Sequence, residues 1–214
     1  MSISLPNGAL VAIANAYTAP ANITALSNAN PGIATATNTL VAGDLVEITS
    51  GWSRLTNKIV RALAPSASAF SLDGYDTTLT SVYPAGSGTG SFRKISGWTQ
   101  LAQILSSSSS GGEQQFLEYQ LLEGDAQKRI PTVKSAAGLT FSVADDPTLA
   151  GYILASAAND DRLPRAVRVT LPSGAVILYN AYVSLNKTPS LTVNEIMAVE
   201  VTLSLLAEPV RYAS

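Results

Sequence analysis

The side chains that most often perform catalysis or bind metals are missing from this sequence. It contains no histidine and no cysteine. The first absence removes the commonest general base, the commonest metal ligand and every Ser-His-Asp arrangement. The second removes disulfides, thiol nucleophiles and thiolate metal sites. Carboxylate or lysine chemistry stays open, but the serines and lysines form no recognisable motif. The sequence therefore argues against an enzyme and predicts no catalytic residue.

Two remaining groups of residues could bind a ligand. Asp44, Asp73 and Asp76 could offer oxygen ligands to Ca²⁺, but their spacing fits no EF-hand loop, and turn residues are the favoured interpretation. The glycine cluster at 86–90 would need a following helix to cradle phosphate. Residues 91–95 read instead as a strand, so a flexible loop is expected. No metal or cofactor is predicted.

The composition indicates a chain that hides surface against other subunits. Charged residues make up 13% of its 214 residues, about half of the roughly 25% usual in soluble domains. A lone subunit needs a charged surface to stay dispersed. Self-assembly is therefore favoured over the alternative, a secreted β protein with a polar, uncharged surface. The net charge is −2 and the 13 basic residues are scattered, so no cationic nucleic-acid site is predicted.

The N-terminal region is interpreted as a strand rather than a targeting segment. Residues 9–16 are apolar, but no basic region precedes them and Pro6-Asn7-Gly8 interrupts the run early. No apolar run approaches the roughly 20 residues of a membrane span. We therefore expect no membrane anchor and synthesis in a cytoplasm.

Alternating apolar residues near the C-terminal end predict three adjacent antiparallel strands. The first includes Val167 and Val169, and a turn at 172–174 leads into a second strand at 175–185. A third follows Thr192 and runs to about Leu206. Each strand has one apolar face, so the three strands are expected to form a sheet that packs on one side.

The region before these strands holds one predicted helix. Residues 139–144 read as a strand, and 97–105 as a strand for which the spacing of Trp98, Leu101 and Ile104 leaves a short helix as the alternative. Ser106 to Gly112 reads as a polar, flexible segment and 113–134 as an extended, exposed excursion. A helix is predicted at about 147–158. Its expected N-terminal cap is Asp146, its expected end is Asn159-Asp160-Asp161, and its expected buried face is Leu149, Tyr152, Ile153 and Ala157.

The N-terminal half predicts a small all-β module inserted into this arrangement. A strand at 9–17 precedes a segment, 23–94, of short strands separated by turns. The fold class is therefore mainly β, a sandwich or barrel with one α-helix and an inserted all-β module. The predicted domains are 1–22 with 95–214, and 23–94. Short strands are expected at 33–37, 44–49, 58–64 and 69–72.

This order of elements resembles the major tail tube protein of long-tailed, siphophage-type bacteriophages. The resemblance is carried by KSAAGLTFSV at 134–143 before Asp145-Asp146-Pro147, by the single helix, and by VTLPSGAVILYNAYVS at 169–184. It covers residues 1–20 and about 95–214. The fold it implies is the tail-tube β-sandwich or barrel.

The 23–94 segment resembles a small β module of phage structural proteins, sometimes named after a half-domain of the ubiquitin-activating enzyme. Gly43-Asp44-Leu45-Val46, Asn57 and Phe70-Ser71-Leu72-Asp73-Gly74 carry this resemblance. The name implies no activity in a chain without cysteine. The implied position of the module is the outer surface of the tube.

The family resemblance implies a virion structural protein, made in the bacterial host cytoplasm. Six subunits would join edge to edge into a ring, and rings would stack into a tube through which phage DNA passes without sequence-specific binding. Tape measure and tail terminator or tip proteins would be partners. We expect the bore to carry more Asp and Glu than Lys and Arg. The residues expected at contacts between rings are Glu113, Glu118, Glu123, Asp125, Lys128 and Arg129.

Two rival functions stay open at this point. A tail terminator or capsid decoration protein would share much of the fold, but a terminator would stop at one ring. A receptor- or carbohydrate-binding β protein would need exposed aromatic residues. Only Trp52, Trp98 and eight tyrosines are candidates, and several of them fall at predicted core positions.

Overall fold

The protein is mainly β, as predicted. The computed structural model describes residues 7–213, so the first six residues of the predicted 1–22 segment lie outside the described range. Sixteen strands and one helix follow in chain order. They are β1 Leu10–Tyr17, β2 Ala21–Ile23, β3 Ala25–Leu26, β4 Ile33–Thr35, β5 Leu45–Ser50, β6 Lys58–Ser66, β7 Ala69–Leu72, β8 Gly90–Leu101, β9 Ile104–Ser110, β10 Gln114–Tyr119, β11 Lys128–Lys134, β12 Gly138–Ala144, α1 Ala150–Asp161, β13 Pro164–Thr170, β14 Val176–Asn186, β15 Ala198–Leu205 and β16 Val210–Tyr212.

Fourteen of the strands form one antiparallel sheet. Its order is β3-β4-β7-β6-β5-β8-β1-β13-β14-β15-β12-β9, with β16 added to β14 and β2 to β8. The remaining two strands, β10 and β11, form a separate hairpin. Within the described residues this path ends at β3 and β9 without closing, so a sandwich rather than a closed barrel describes one subunit.

The three predicted C-terminal strands are confirmed as neighbours. β13 pairs with β14 from Pro164↔Tyr182 to Thr170↔Val176, and β14 pairs with β15 from Ala181↔Leu205 to Asn186↔Glu200. β15 begins at Ala198, later than predicted. Asn194 explains the delay, because its φ of 66° is left-handed and interrupts an extended chain.

The main core lies between two layers of this sheet. Because strand side chains alternate, one row from each strand points into the same interior. Val11 and Val167 contribute from β1 and β13, and Phe141 and Val201 contribute from β12 and β15. The sheet therefore folds over on itself, and α1 packs beside this core through Ala155 and Ala158.

A second core occupies the 23–94 segment, and a third lies where that segment meets the rest. The second core includes Trp52, Phe70 and Phe92. The third joins Ile59 and Ile95 to Leu178 and Tyr212, among others. Strand β8 crosses position 94/95 without a break and contributes to all three clusters. The division into 1–22 with 95–214 and 23–94 stays a prediction.

A buried carboxylate links the 23–94 segment to β14. Glu47 is 6% exposed and accepts hydrogen bonds from Arg93 Nε at 2.6 Å and from Asn180 Nδ2 at 3.0 Å. Asn180 Nδ2 also donates to the Asn57 carbonyl oxygen at 3.0 Å. The Arg93 guanidinium lies 4.0 Å from the centre of the Tyr17 ring. A carboxylate taken out of water is tolerated when partners of this kind surround it.

Arginine–aromatic stacks and tyrosine hydroxyls extend this junction. The Tyr17 hydroxyl accepts a hydrogen bond from the Ala166 N–H at 2.8 Å, and the Tyr212 hydroxyl accepts one from the Arg61 N–H at 2.9 Å. Arg61 lies 4.4 Å from the Tyr212 ring centre. Burial raises the pKa of Tyr17 above its ordinary value and that of Tyr212 to about 12. Both phenols therefore stay neutral and keep their hydrogen bonds at physiological pH.

The predicted helix exists, but its start and part of its buried face differ from the prediction. It begins three residues later than predicted, at Ala150, and ends at Asp161, the last of the three residues expected to end it. Asp146 does not cap it: its Oδ1 accepts hydrogen bonds from the N–H and hydroxyl of Thr148, which makes a local turn ahead of the helix. The predicted face is right only in part, because Tyr152 packs against the main core. Ile153 is 56% exposed, while Gly151, Ala155 and Ala158 are buried.

Gly151 explains this orientation of the helix. A Cβ atom at position 151 would lie 2.4 Å from the Gln100 carbonyl oxygen of β8. The small residues let the helix approach the sheet backbone, so the larger Ile153 points outward. At the other end of the helix, Arg162 adopts a left-handed φ of 56° and its N–H bonds to the Ala158 carbonyl oxygen.

The prediction of a flexible segment at Ser106 to Gly112 is wrong over most of its length. Residues 104–110 form β9, which pairs with β12 from Ser110↔Gly138 to Ser106↔Ser142. Serine has little strand propensity of its own. The adjacent strand β12 supplies hydrogen-bond partners for the backbone, and the exposed position of β9 leaves the hydroxyls in water.

We predict that removing the buried carboxylate weakens the junction. Glu47→Ala leaves Arg93 and Asn180 without their partner and is expected to lower the free energy of unfolding by about 2–3 kcal/mol. Urea denaturation of the unassembled chain measures this. As a control, Glu118→Ala, which breaks an exposed ion pair, should cost less than about 1 kcal/mol. Equal losses in the two variants would contradict a structural role for Glu47.

Candidate assembly surface

The segment predicted as an exposed excursion is a β-hairpin that projects from the sheet. β10 and β11 pair with each other from Tyr119↔Lys128 to Gln114↔Lys134, with an irregularity between Gln114 and Phe116. All residues of β11 are exposed. An isolated two-stranded hairpin is at best marginally stable in water, so a partner surface would stabilise this one.

The structure brings together only two of the six predicted contact residues. Glu118 and Arg129 face each other across the hairpin, and Arg129 Nη2 lies 2.5 Å from Glu118 Oε1. Lys128 stands opposite Tyr119, and Glu113 precedes β10, where its N–H donates to the Ser135 hydroxyl at 3.1 Å. Glu123 and Asp125 lie in the loop at the tip of the hairpin, between residues 120 and 127.

The sequence interpretation missed the apolar character of this hairpin. Large apolar side chains are exposed on both of its faces and at its tip, and Leu122 is fully exposed. The signal was present in the sequence, because these residues stand between the charged ones. The exposed apolar side chains of the hairpin are Phe116, Leu117, Leu121, Leu122, Ile130 and Val133.

The sheet edge at β9 is a second exposed surface. β9 pairs with β12 on one side, and within residues 7–213 no strand pairs with its other side. It is 7 residues long and holds no proline or lysine, which are common protective devices of edge strands. The opposite end of the path is β3, a strand of only 2 residues. The β9 edge is therefore the longer site for pairing with another chain.

The other candidate sites of the sequence have local explanations. Asp73 pairs with Arg61 Nε at 2.5 Å, Asp44 pairs with Lys94 Nζ at 2.7 Å, and Asp76 accepts a hydrogen bond from the Thr78 N–H at 2.9 Å. Within residues 7–213 no group of three or more acidic, histidine or cysteine side chains is arranged to hold a metal ion. In the same range no helix is long and apolar enough to cross a membrane.

The tryptophans do not form an exposed aromatic platform. Trp52 is buried and donates its indole N–H to the Pro84 carbonyl oxygen at 2.8 Å. The guanidinium of Arg168 lies over Trp98, 4.7 Å from the centre of the Trp98 ring. The rival interpretation as a carbohydrate-binding protein thus loses the two residues best suited to stack on sugars.

Comparison with known families decides the identity. Residues 50–214 match the family model described as phage tail tube protein, TTP. The chain belongs to the phage tail tube protein family. As a tail tube protein, it is a virion structural component of the class that its sequence resembles. No curated protein matches the chain.

Distant likenesses to solved structures are found as well. The sheath/tube terminator of an extracellular contractile injection system in the extended state matches with a TM-score of 0.39 and 17% identity, over 53% of this chain and 87% of that one. The tube-terminating cap of the anti-feeding prophage matches with a TM-score of 0.38 and 20% identity, over 54% and 83% of the two chains. Likenesses this distant carry no argument about the tail tube protein's function.

We predict that the hairpin contributes almost nothing to the stability of a single subunit. Residues 113–135 can be excised, because Ser110 and Gly138 are paired neighbours and Gly111, Gly112, Ala136 and Ala137 can form the connecting turn. The thermal midpoint of the unassembled chain should change by only a few degrees, since the main core is untouched. Circular dichroism measures it, and unfolding of the excised variant at room temperature would contradict the prediction.

Proposed function

We propose that this tail tube protein assembles into hexameric rings that stack into the hollow tube through which phage DNA passes. The observation that carries the proposal is the open edge of β9. An unprotected edge is an aggregation hazard in a monomer, but in a closed ring the same edge pairs with a neighbour at every subunit. The low content of charged residues supports a chain that buries surface in an assembly.

The hairpin supports a role between rings. It leaves its apolar residues exposed, and ring-to-ring contact would bury them and stabilise an element that is marginal alone. Glu113, Glu118, Glu123, Asp125, Lys128 and Arg129 are the residues proposed at this contact. We expect the variant that lacks 113–135 to form rings that do not stack.

A contact between rings of this kind joins different surfaces of the two partners. Such head-to-tail contacts repeat without an internal stop. The length of the tube must then be set by other proteins, and tape measure and tail terminator or tip proteins are the proposed partners. Synthesis in the host cytoplasm, followed by incorporation into the virion, belongs to the same proposal.

One face of the sheet suits the wall of the bore. On β12 and β15, the side chains that point away from the main core are chiefly hydroxyls, and Thr140 and Thr202 lie side by side with their oxygens 3.4 Å apart. On this face of β9, β12 and β15, and of β14 beyond Asn180, the one charged side chain is Glu200. A polyanion would find there no cations to hold its phosphates.

The position of this face supports its assignment to the bore. The 23–94 segment covers β1, β13 and the first half of β14 from the side away from the main core, through contacts such as Ile59 with Leu178. The hydroxyl face belongs to the other layer of the sandwich. If the 23–94 segment lies outside the tube, as the family resemblance implies, the hydroxyl face points inward.

Electron microscopy of the purified tail tube protein tests the assembly. Stacked rings of six subunits are expected. Single rings that never stack would favour the alternative of a tail terminator. A chain that stays monomeric at high concentration would contradict the proposal.

Proline substitutions in β9 test the edge. Successive residues of an antiparallel strand point their N–H groups alternately toward and away from the partner strand, and proline has none. Of Ser107→Pro and Ser108→Pro, one removes a bond to β12 and should lower the melting temperature. The other removes only an outward donor, so it should keep the fold but fail to form rings. Normal rings from this folded variant in electron micrographs would reject edge pairing.

A lysine in the proposed bore tests the assignment of the hydroxyl face. Ser204→Lys should leave assembly intact and add one cation per subunit to the wall, so that tubes retain short duplex DNA at low salt and release it as salt rises. The retained DNA should resist nuclease. In the matched variant Ala67→Lys, with the lysine on an exposed turn of the 23–94 segment, bound DNA should be digested. Nuclease-sensitive DNA on the Ser204→Lys tubes would place this face outside the bore.

A further inference from the structure

A groove at the base of the hairpin combines a basic part with an apolar part. The basic part is a cleft of about 500 Å³ between the hairpin and the 23–94 segment. Three cationic side chains line it, Arg54, Lys58 and Lys134, and only one carboxylate, Glu208. Cations therefore exceed anions by two.

The excess positive charge is visible in the pairing of these groups. Lys134 Nζ forms an ion pair with Glu208, and the hydrogen bond from Lys134 holds the pKa of the Glu208 carboxyl below its ordinary value. Among the described residues, Arg54 and Lys58 form no ion pair of their own. The pKa of Lys58 is lowered, chiefly by burial; the charge of Glu208 acts to raise this pKa, while the positive charges of Lys134 and Arg54 act to lower it. A second carboxylate in the cleft would relieve this repulsion.

The apolar part of the groove adjoins the basic part. A second cleft of about 540 Å³ shares Lys134, Leu206, Ala207 and Glu208 with the first. Its other walls include alanine and proline side chains and the backbone of the turn after β9. A ligand that fills both clefts therefore needs apolar side chains followed closely by acidic ones.

The tip of the hairpin has this combination. Residues 121–125 read Leu-Leu-Glu-Gly-Asp, and the loop 120–127 contains two acids and no base. Leu121 and Leu122 are exposed, Leu122 fully so. Both the charge and the apolar content of the tip are complementary to the groove.

The tip cannot reach the groove of its own subunit. Gln114, Thr132 and Lys134 at the base of the hairpin line the cleft, and the tip lies beyond the other end of β10. A strand of this length spans about 20 Å at roughly 3.4 Å per residue. The occupant of the groove must therefore come from another molecule.

We propose that the hairpin tip of one copy, Leu121 to Asp125, inserts into the groove at the hairpin base of a second copy. Leu121 and Leu122 fill the apolar cleft, and Glu123 and Asp125 pair with Arg54 and Lys58. The proposal rests on the proposed self-assembly and names the surface that receives the hairpin. Tip and groove are different surfaces, so the contact leaves a free tip and a free groove at the two ends of any chain of subunits.

Cysteine cross-linking tests the pairing directly, because the chain contains no cysteine. Ala126→Cys at the tip and Ser53→Cys in the cleft keep all charges, and both positions are exposed. On mild oxidation, a mixture of the two full-length variants should form disulfide-linked dimers about tenfold more than either variant alone. The control is a mixture of Ser53→Cys with Thr192→Cys, which lies in an exposed loop that is also apolar but holds the single acid Glu195. Equal cross-linking in the two mixtures would overturn the proposal.

Charge exchange provides a second test of the same cross-link. Adding Glu123→Lys and Asp125→Lys to the tip variant should reduce cross-linking to the unchanged groove variant about tenfold, because like charges then meet. Adding Arg54→Glu and Lys58→Glu to the groove variant alone should reduce it by a similar factor. Combining the two exchanges should restore the cross-link, and failure to restore it would also reject the pairing.

The outcomes separate this inference from the proposed function. If electron micrographs show tubes but the tip-to-groove cross-link does not form, the proposed function stands and the proposed contact is overturned. The cross-link without stacked rings would support the contact and contradict the tube. Absence of both would reject the two together.

Discussion

The buried carboxylate of Glu47 holds the architecture of the subunit together. It lies where β5, β8 and β14 meet, is held within the 23–94 segment by Arg93, and is joined to the rest of the sheet by Asn180 of β14. Strand β8 connects the 23–94 segment to β1, but the hydrophobic contact of that segment with β14 has no direction of its own. The hydrogen bond from Asn180 Nδ2 to the Glu47 carboxylate, at 3.0 Å, has a direction, and losing it would leave the buried carboxylate without its partner on β14. The orientation of the 23–94 segment follows from this geometry, and with it the choice of which sheet face stays open.

The free faces and edges of the subunit differ in how they meet solvent. The short strand β3 ends one side of the sheet, while β9 leaves a longer edge without proline or lysine. The outward face of β12 and β15 carries hydroxyls, and the hairpin carries apolar residues. An uncharged hydroxyl face stays wetted without attracting a polyanion, whereas the edge and the apolar residues gain from a partner. The hydroxyl face therefore favours contact with water, the β9 edge favours pairing with another strand, and the hairpin favours an apolar groove.

The sequence predicted the strands in which apolar and polar residues alternate. It failed where pairing with a neighbouring strand overrides the strand propensity of the residues. β13 and β14 were predictable because one face of each is apolar and a proline-glycine turn joins them. β9 was not, because a run of serines has low strand propensity and only β12 makes it a strand. The helix begins later than predicted because the Asp146 side chain accepts a hydrogen bond from Thr148 in a turn instead of capping the first helical turn. Glu47 gave no signal at all, since its partners lie 46 and 133 residues away in the chain.

The uneven distribution of the few charges gives the proposed contacts their direction. With only 13% charged residues, a subunit of this kind could associate in many registers through apolar surface alone. In the proposed contact, two acids at the hairpin tip and an excess of two cations in the groove would disfavour most of these registers, because a tip meeting another tip brings like charges together. Apolar burial would then supply most of the affinity, and charge would decide that each hairpin meets a groove. A scarcity of charge therefore makes the placement of each remaining charge more important for the order of an assembly.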